Sequence, residues 1–270
     1  REGVVDEAAD RSGFVDDERD YRNTLLRLGL AWDDGERSLA GGVEAANLEA
    51  DYRYRGRMAF AADYPFPGLP ARGFIRSFDL APDGSQVAAW LAGRIRFAGR
   101  FTAEAGLRWA DQTYDAVDGR SQFGPRLSLL YEVAPGTRLR VGWGRFFQPQ
   151  GINELQVEDG VPEFFAPQRA DHLVASLEHD LSATLELRLE AYRKDYDSLR
   201  PRFENLFDPF SLLPELQADR VRVAPDEAYA RGVEAILRHR GEGPVDWWLS
   251  WAWSEARDDI AGADVPRSWE

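Results

Sequence analysis

The chain has 270 residues, of which 44% are hydrophobic and 12% aromatic, with a formal net charge of −14 and no cysteine. The negative charge argues against nucleic acid as a partner, because phosphate binding requires a concentrated positive surface. The lack of cysteine excludes disulfides and thiolate metal sites, and no window reaches the roughly 18–20 continuous apolar residues of a membrane helix. The length allows one large β domain or two smaller ones.

Two strands joined by a short turn are predicted first, across residues 24–56. In the first strand four apolar side chains share one face, namely Leu26, Leu28, Leu30 and Trp32. The second strand, residues 38–56, changes its alternation near Asn47, which predicts a β-bulge there. Residues 57–83 are rich in proline, glycine and phenylalanine and show no period of either kind, so we expect a long irregular loop.

A hairpin is predicted over residues 86–109, with residues 98–100 as its turn. Its second strand separates apolar from polar side chains cleanly: Phe101, Ala103, Ala105, Leu107 and Trp109 on one face, and Thr102, Glu104, Gly106 and Arg108 on the other. If Phe97 and Phe101 are cross-strand partners, Arg94 lies opposite Glu104. A loop of moderate length follows at residues 111–121.

The most regular hairpin runs from Pro125 to Phe147 and turns at residues 134–136. One face is aliphatic and aromatic, while the other carries charges and glycines: Arg126, Ser128, Arg138, Arg140, Gly142 and Gly144. By the same pairing rule, Glu132 lies opposite Arg138. Two structures fit this pattern, a sandwich strand with one solvated side or a membrane-barrel strand with lipid outside and water inside.

Four further strands are predicted after a polar loop at residues 148–169. The first pair alternates from Leu173 and from Leu185 and turns at residues 181–183. The next connection, residues 195–225, is long and has some helical character at 210–218. The last pair, around Val233 and over residues 245–253, turns at residues 239–244.

The connections decide between the two folds, because short turns alternate with long loops along the whole chain. The last long loop starts at residue 257. Greek-key crossings have no reason to place every long loop at one end of a sandwich, whereas a transmembrane barrel does. Aromatic residues toward both strand ends, such as Phe97 and Trp109, fit two interfacial girdles, although Trp143 and Trp251 lie nearer mid-strand. We therefore predict an all-β fold, an antiparallel meander of about ten strands that forms part of a transmembrane outer-membrane β-barrel.

Several segments, taken in order, carry a family resemblance. They are Gly-Leu-Arg-Trp at 106–109, VGWGRFFQPQGINEL at 141–155, LEAYRKDYDSL at 189–199, ARGVEA at 230–235, LSWAWSEARD at 249–258 and VPRSWE at 265–270. Together they resemble the β-barrel region of TonB-dependent outer-membrane receptors. The resemblance implies a closed barrel of about 22 strands that is filled by a plug domain.

The chain itself departs from the whole family pattern. It shows no TonB-box-like segment, no plug and no aromatic residue at its C-terminus, and Gln168 stands where the resemblance leads us to expect an acidic residue. We therefore expect residues 1–270 to form a partial barrel domain that lacks the plug and the remaining strands. The resemblance implies the cell outer membrane as the location, and it implies four partners: membrane lipid, the plug, a TonB-type energy-coupling protein and a small-molecule substrate.

The polar faces of the predicted strands supply the first set of candidate site residues. As lumen-facing side chains they would hold a plug through ion pairs and hydrogen bonds: Arg94, Glu104, Arg108, Arg126, Arg138, Arg140, Glu186, Arg188, Glu190 and Glu234. Glycines on the same faces would let plug backbone come close, namely Gly106, Gly142, Gly144 and Gly232. The alternative is ordinary surface charge on a soluble sheet with glycines at bulges.

Aromatic residues in the long loops supply the second set, as candidate substrate contacts: Phe66, Phe164, Phe165, Phe203 and Phe207. The leading hypothesis is active import of a scarce solute, such as a ferric siderophore, cobalamin or an oligosaccharide. A passive outer-membrane porin shares the strand and loop pattern. A soluble all-β carbohydrate-binding module, with exposed Trp and Tyr as stacking platforms, is the other alternative.

Covalent chemistry has no support in the sequence. His172, His179 and His239 lie in unrelated segments, and no phosphate loop, GxSxG or HExxH motif occurs. The acidic clusters in the long loops lack the spacing of a known calcium loop. We expect no catalytic residue, no cofactor and no metal site, and a mechanism of binding and gating.

Overall fold

The alternation of side chains produces fifteen β-strands and two short 3-10 turns within the residues that the computed structural model describes. The structure describes residues 2–7, 10–67, 71–114, 121–207, 210–241, 243 and 245–267. This part of the chain contains no helix long and apolar enough to cross a membrane.

The strands follow one another along the chain with the following bounds: β1 Glu2–Glu7, β2 Arg11–Asp33, β3 Arg37–Phe60, β4 Arg72–Leu80, β5 Asp83–Phe97, β6 Phe101–Gln112, β7 Gln122–Ala134, β8 Thr137–Gln148, β9 Gln168–Asp180, β10 Leu185–Asp197, β11 Arg202–Asn205, β12 Arg220–Val223, β13 Glu227–His239, β14 Trp247–Ile260 and β15 Ala263–Pro266. The 3-10 turns are Val157–Asp159 and Pro214–Leu216.

One large antiparallel sheet contains all strands except two. Its order is β1-β2-β3-β5-β6-β7-β8-β9-β10-β13-β14-β15, with β4 paired to the far half of β3, and β11 with β12 forms a separate hairpin. The predicted antiparallel meander is confirmed, and its ten predicted strands correspond to β2, β3, β5 to β10, β13 and β14. Short turns follow β2, β5, β7 and β9, so they share one end of the sheet.

The predicted registers of the two central hairpins are confirmed. Phe97 pairs with Phe101 and Arg94 with Glu104, and Glu132 pairs with Arg138. The charged side chains nevertheless choose other partners. Arg94 forms its ion pair with Asp33 at 3.0 Å, and Arg138 forms its ion pair with Glu178 at 3.2 Å.

Three of the predicted loops contain more regular structure than the sequence indicated. Within residues 57–83, β3 continues to Phe60 and β4 pairs back against it, because Pro82 interrupts only the junction between β4 and β5. Residues 195–225 contain the β11–β12 hairpin, and the helical character is limited to the turn Pro214–Leu216. After residue 257, β14 continues to Ile260 and turns into β15.

The predicted β-bulge near Asn47 is wrong. β3 pairs with β2 without interruption from Asp33↔Ser38 to Arg11↔Phe60, a run that includes Thr24↔Asn47. The alternation of the backbone is unbroken, and it is the polarity of each face that changes. Up to Ala45, the face with Leu39 and Val43 is apolar, and beyond Asn47 the same face carries Glu49, Asp51 and Arg53.

The opposite face of β3 changes from polar to apolar beyond Asn47, because the long loops cover it there. There it contributes to a core of buried side chains from β2, β3 and two loops: Val15, Ala46, Leu48, Ala50, Tyr52, Tyr54, Met58, Phe60, Ile152, Leu155, Val157 and Leu216. We call this the loop core. The part of the β2–β3 hairpin beyond Asn47 therefore forms one side of a packed core that the long loops complete.

The apolar face of the meander is solvent-exposed in the structure. Leu30 is 86% exposed, Leu127 is 58% exposed and Leu249 is 65% exposed. Near the short turns, aromatic rings form a row on this face, with Phe97, Phe101 and Tyr131 stacked at centroid distances of 5.5 and 4.6 Å. A contiguous exposed apolar surface of this size requires an apolar environment, and aromatic rings at its border are typical of a membrane interface.

Candidate functional site on the polar face of the sheet

The predicted plug-contact residues all lie on one face of the sheet, opposite the exposed leucines. The register pairs Arg94 with Glu104, Gly106 with Arg126, and Glu190 with Glu234, and alternation along the strands adds Arg108, Arg138, Arg140, Glu186 and Arg188. We call this the polar face.

Charges on the polar face are balanced in part by other side chains of the same sheet. Glu44 lies between two guanidiniums, with Arg27 and Arg108 both at 2.9 Å. Arg188 and Glu190 form an ion pair at 2.6 Å. Such lateral pairs leave hydrogen-bonding atoms available to a second surface without leaving a bare charge.

The glycines on the polar face differ in how much open space surrounds them. A Cβ added at Gly106 or Gly142 would meet its nearest atoms at 3.5 and 3.7 Å, so the wall is open at both positions. These glycines lie along a depression of about 540 Å³. At Gly232, by contrast, a Cβ would lie 2.6 Å from the Tyr192 hydroxyl, because that ring covers the glycine from the neighbouring strand. Gly144 is similarly covered, by Phe146 at 3.0 Å.

Toward the long loops, the polar face carries a row of rings and cations, of which only Arg126 was among the predicted site residues. Phe146 and His172 lie 4.6 Å apart between ring centroids, and Tyr196 meets His172 edge-on at 6.3 Å. Two cations face rings in the same region: the Arg126 guanidinium lies 6.0 Å from the Phe146 ring, and Lys194 Nζ lies 5.1 Å from the Tyr192 ring. We call these six residues the aromatic ladder. Alternation along the strands places each of them on the polar face, so the sequence contained a signal that could have identified them.

The predicted loop aromatics do not form one group. Phe164 packs on the loop core and meets Tyr114 edge-on at 5.3 Å. Phe203 lies beneath the guanidinium of Arg220 at 5.8 Å. Phe66 and Phe207 meet each other edge-on at 5.5 Å and are 51% and 66% exposed. The remaining residue, Phe165, is half-buried, and its backbone N–H donates to Gln150 Oε1 at 2.9 Å.

The turn Val157–Asp159 is the point where the loops are attached to the sheet. Val157 is fully buried, and arginines from three strands contact the two residues that follow it. Arg19 of β2 contacts the Glu158 carboxylate at 2.6 Å, Arg76 of β4 donates to the Glu158 carbonyl, and Arg220 of β12 binds both Asp159 oxygens at 2.7 and 2.6 Å. The loops are therefore held by charge-assisted bonds in addition to apolar packing.

A hydroxyl at the centre of the loop core makes a second attachment. The Tyr52 hydroxyl donates to the Ile152 carbonyl at 2.8 Å and accepts the Leu155 N–H at 3.1 Å. Burial raises the pKa of Tyr52 and, more strongly, the pKa of Tyr54 beside it. Both phenols consequently stay protonated throughout the physiological range.

The described residues contain no group of three or more His, Cys, Asp or Glu side chains that could hold a metal ion. The polar face itself presents hydrogen-bonding groups, ion pairs and ring faces.

Comparison with known proteins gives a family match over nearly the whole chain. The family model "TonB dependent receptor-like, beta-barrel" matches residues 4–268. No curated protein sequence matches the chain.

Solved structures share the fold at low sequence identity. The chain is similar to the ferripyoverdine receptor of the outer membrane of Pseudomonas aeruginosa, with 14% identity, a TM-score of 0.58 and coverage of 98% of this chain and 37% of that one. The copper transporter OprC has 17% identity and a TM-score of 0.58, with coverage of 92% of this chain and 41% of that one. The outer membrane transporter YddB from Escherichia coli has 10% identity and a TM-score of 0.55, with coverage of 92% of this chain and 34% of that one. The chain thus spans less than half the length of each of these structures.

Proposed function

The chain belongs to the TonB-dependent receptor family, as part of its β-barrel region, and we propose that the protein containing it is an outer-membrane receptor for energy-coupled import of a scarce solute. Candidate solutes are a ferric siderophore, cobalamin or an oligosaccharide. The protein acts by binding and gating and is not an enzyme. Its location is the cell outer membrane.

The observation that carries this proposal is the division of one sheet into two faces. The face with Leu30, Leu127 and Leu249 suits lipid, and the polar face suits a protein-filled, water-containing lumen. The sheet runs from β1 to β15 without closing on itself in the described residues, so both end strands have edges available for further barrel strands.

A plug domain of the same protein is the partner we propose for the polar face. Lateral ion pairs such as Arg108–Glu44 reduce the bare charge on that wall, and open glycines at 106 and 142 leave room for backbone. A plug held by many exchangeable hydrogen bonds, rather than by a dry apolar interface, can be rearranged by a TonB-type energy-coupling protein. The predicted contacts on this chain are Arg94, Glu104, Arg108, Arg126, Arg138, Arg140, Glu190 and Glu234.

Uptake in cells tests the proposal. Cells that express the full-length protein are supplied with labelled ferric chelates, cobalamin and oligosaccharides, with and without the TonB-type protein. We expect saturable uptake of one solute class that stops when the energy-coupling protein is deleted. Uptake that persists in the deletion strain and rises linearly with concentration would instead identify a passive porin.

A further inference from the structure

An exposed apolar patch lies on the outward face of the sheet, which is the face that carries the exposed leucines. Val4 is paired with Phe14 of β2. Phe14 in turn is paired with Arg57 of β3, and Arg57 with Ile75 of β4. We call these four residues the distal patch. Val4 is 79% exposed, Phe14 is 43% exposed and Ile75 is 80% exposed. Strand β2 extends about 40 Å from Leu26, where its lipid-facing apolar stretch ends, to Phe14, so membrane hydrocarbon does not cover the patch.

Charges beside the distal patch lack the lateral partners that are found elsewhere on the same face. Closer to the membrane band, Arg53 pairs with Glu18 at 3.2 Å. At the patch, Asp16, Arg55 and Arg57 are exposed and form no ion pair within the described ranges, although the register places Asp16 beside Arg55. Exposed apolar side chains bordered by unpaired charges of both signs are typical of a protein contact.

A second copy of the receptor in the same membrane can reach this patch. The outward face of a barrel wall points sideways, so two upright copies meet through such faces across a twofold axis along the membrane normal. Copies that share one membrane have already lost part of their translational and orientational freedom. A small contact therefore suffices to hold them together, whereas a protein that arrives from solution has no such advantage.

The distal patch is complementary to itself about such an axis. When the axis passes between β2 and β3, β2 of one copy faces β3 of the other, and β1 faces β4. Phe14 then lies against Arg57 of the second copy, which sets a guanidinium on an aromatic ring. Val4 lies against Ile75, which removes two exposed apolar side chains from water. Each contact occurs twice, as an interface between identical surfaces requires.

The charges next to the patch fit the same axis. Exchange of β2 and β3 brings Asp16 of each copy to Arg55 of the other, so charges that are unpaired in one chain become paired between two. Closer to the membrane the complementarity ends, because Asp20 and Asp51 are neighbours in the register and the exchange sets carboxylate against carboxylate. The axis therefore passes through the distal patch, and the ion-paired part of the face stays outside the contact.

We propose that the distal patch joins two copies of the receptor side by side in the outer membrane. The contact consists of Phe14 with Arg57, Val4 with Ile75, and Asp16 with Arg55, each formed twice. This inference goes beyond solute import and needs only that the sheet spans a membrane.

Cross-linking of the full-length receptor in native outer membranes tests the contact. This chain has no cysteine, so a single introduced thiol reports one position, with the unsubstituted receptor as baseline. Ser12→Cys lies on the outward face next to Phe14, and Ser121→Cys is an exposed control of the same residue type, four strands away at the start of β7. With a short bis-maleimide, we expect the dimer band of Ser12→Cys to exceed that of Ser121→Cys at least about threefold.

Substitutions in the Ser12→Cys background locate the contact. Phe14→Ala and Arg57→Glu should each lower the dimer band at least about threefold, because each substitution removes two contacts of the symmetric pair. Arg222→Glu, a charge reversal at an exposed arginine of β12, should leave it unchanged. Heat-modifiable migration in a gel verifies that every variant is folded.

A mixed pair of variants tests whether the charges meet between copies. Asp16→Arg and Arg55→Asp, each with Ser12→Cys and its own tag, are expressed singly and together. Each variant alone carries like charges at both positions and should dimerise at least about threefold less than the parent. Expressed together, they should form mixed dimers at the parent level, since each arginine then meets a carboxylate of the other copy. That recovery has no explanation within a single chain.

Equal cross-linking of Ser12→Cys and Ser121→Cys, or a mixed pair that dimerises no better than either variant alone, would overturn the proposal. Cross-linking of Ser12→Cys to a different protein in place of a second receptor would overturn it as well and identify another occupant of the patch. Energy-coupled uptake by the wild-type receptor is measured in the same cells. If uptake occurs without a dimer, the proposed function stands and only the dimer is wrong.

Discussion

Arg220 binds both carboxylate oxygens of Asp159, at 2.7 and 2.6 Å, and so joins two loops that are 61 residues apart in the chain. The Asp159 side chain is only 3% exposed. Removing one member of a buried ion pair leaves the other charged and unpaired, which typically costs about 3–5 kcal/mol.

We therefore expect Arg220→Ala to open the loop at residues 149–167. Amide hydrogen exchange of Asp159 and Gly160 should accelerate on the order of a hundredfold, since each ~1.4 kcal/mol is a factor of ten. Arg222→Ala, an exposed arginine on the same strand, is the control and should leave exchange unchanged. Equal exchange in both variants would show that apolar packing alone holds the loop.

Two adjacent buried tyrosines should respond in opposite ways to loss of the hydroxyl. Tyr52→Phe leaves the Leu155 N–H and the Ile152 carbonyl buried without partners, at a cost of about 1–3 kcal/mol. The Tyr54 hydroxyl is buried and has no hydrogen-bond partner among the described residues, so Tyr54→Phe should be neutral or stabilising. Exchange of the Leu155 amide measures both: about tenfold or more acceleration in Tyr52→Phe, and none in Tyr54→Phe. A comparable loss in both variants would contradict the hydrogen bonds described for Tyr52.

The registers of the hairpins were predictable from the sequence, and the loop core was not. A short turn fixes which residues face each other, so Phe97 and Phe101 sufficed to place Arg94 opposite Glu104. Near Asn47 the sequence pattern is misleading, because the alternation of polarity reflects the surroundings of each face and not the backbone geometry. The residues that create those surroundings, Ile152 and Leu216, are distant in sequence and have no period.

The candidate site also combines features that local alternation predicts with features that depend on distant residues. Alternation places Phe146, His172 and Tyr196 each on the polar face, but their contact depends on the registers of three neighbouring strands. Similarly, no local pattern indicates that the Tyr192 ring covers Gly232.

The change of surroundings along β2 gives a prediction about charge. Leu28 lies on the apolar face, where a cation should cost about 2–4 kcal/mol at mid-membrane. Asp20 lies on the same face of the same strand but beyond the Thr24–Asn47 pair, where its partner is Asp51. We expect Leu28→Arg to lower the yield of heat-modifiable, folded protein in vesicles, and Asp20→Arg to fold normally. Normal folding of Leu28→Arg would place the boundary elsewhere.

Acid should loosen the loop through Glu154. Burial opposes ionisation of this carboxyl, but the Gly151 N–H at 3.0 Å and Arg200 at 2.9 Å outweigh it and lower its pKa below the usual 4.5. Because the folded value is lowered, the stabilisation is present above the ordinary carboxyl range and is lost as the pH falls through the lowered value.

Glu154→Gln should therefore remove part of the pH dependence of loop opening. The side chain is 50% exposed, so the effect should stay below about 1 kcal/mol. Exchange at the Leu155 amide, corrected for the intrinsic rate at each pH, is the measurement. Glu163→Gln, an exposed carboxyl of the same loop, is the control, and an identical pH profile in Glu154→Gln and wild type would count against the contact.

The change in polarity of the two faces of β3 at Asn47 also determines which surface the proposed receptor displays to an antibody. In the proposed receptor, lipid covers the outward side chains on the short-turn side of Asn47. Beyond Asn47 the outward faces of β2, β3 and β4 form one largely polar plate with ion pairs such as Arg22–Glu49 and Arg53–Glu18. The plate is backed by the loop core, so its shape does not depend on the loop tips. A serum raised against intact cells would contain antibodies to a folded sheet, and these would not bind the corresponding linear peptides.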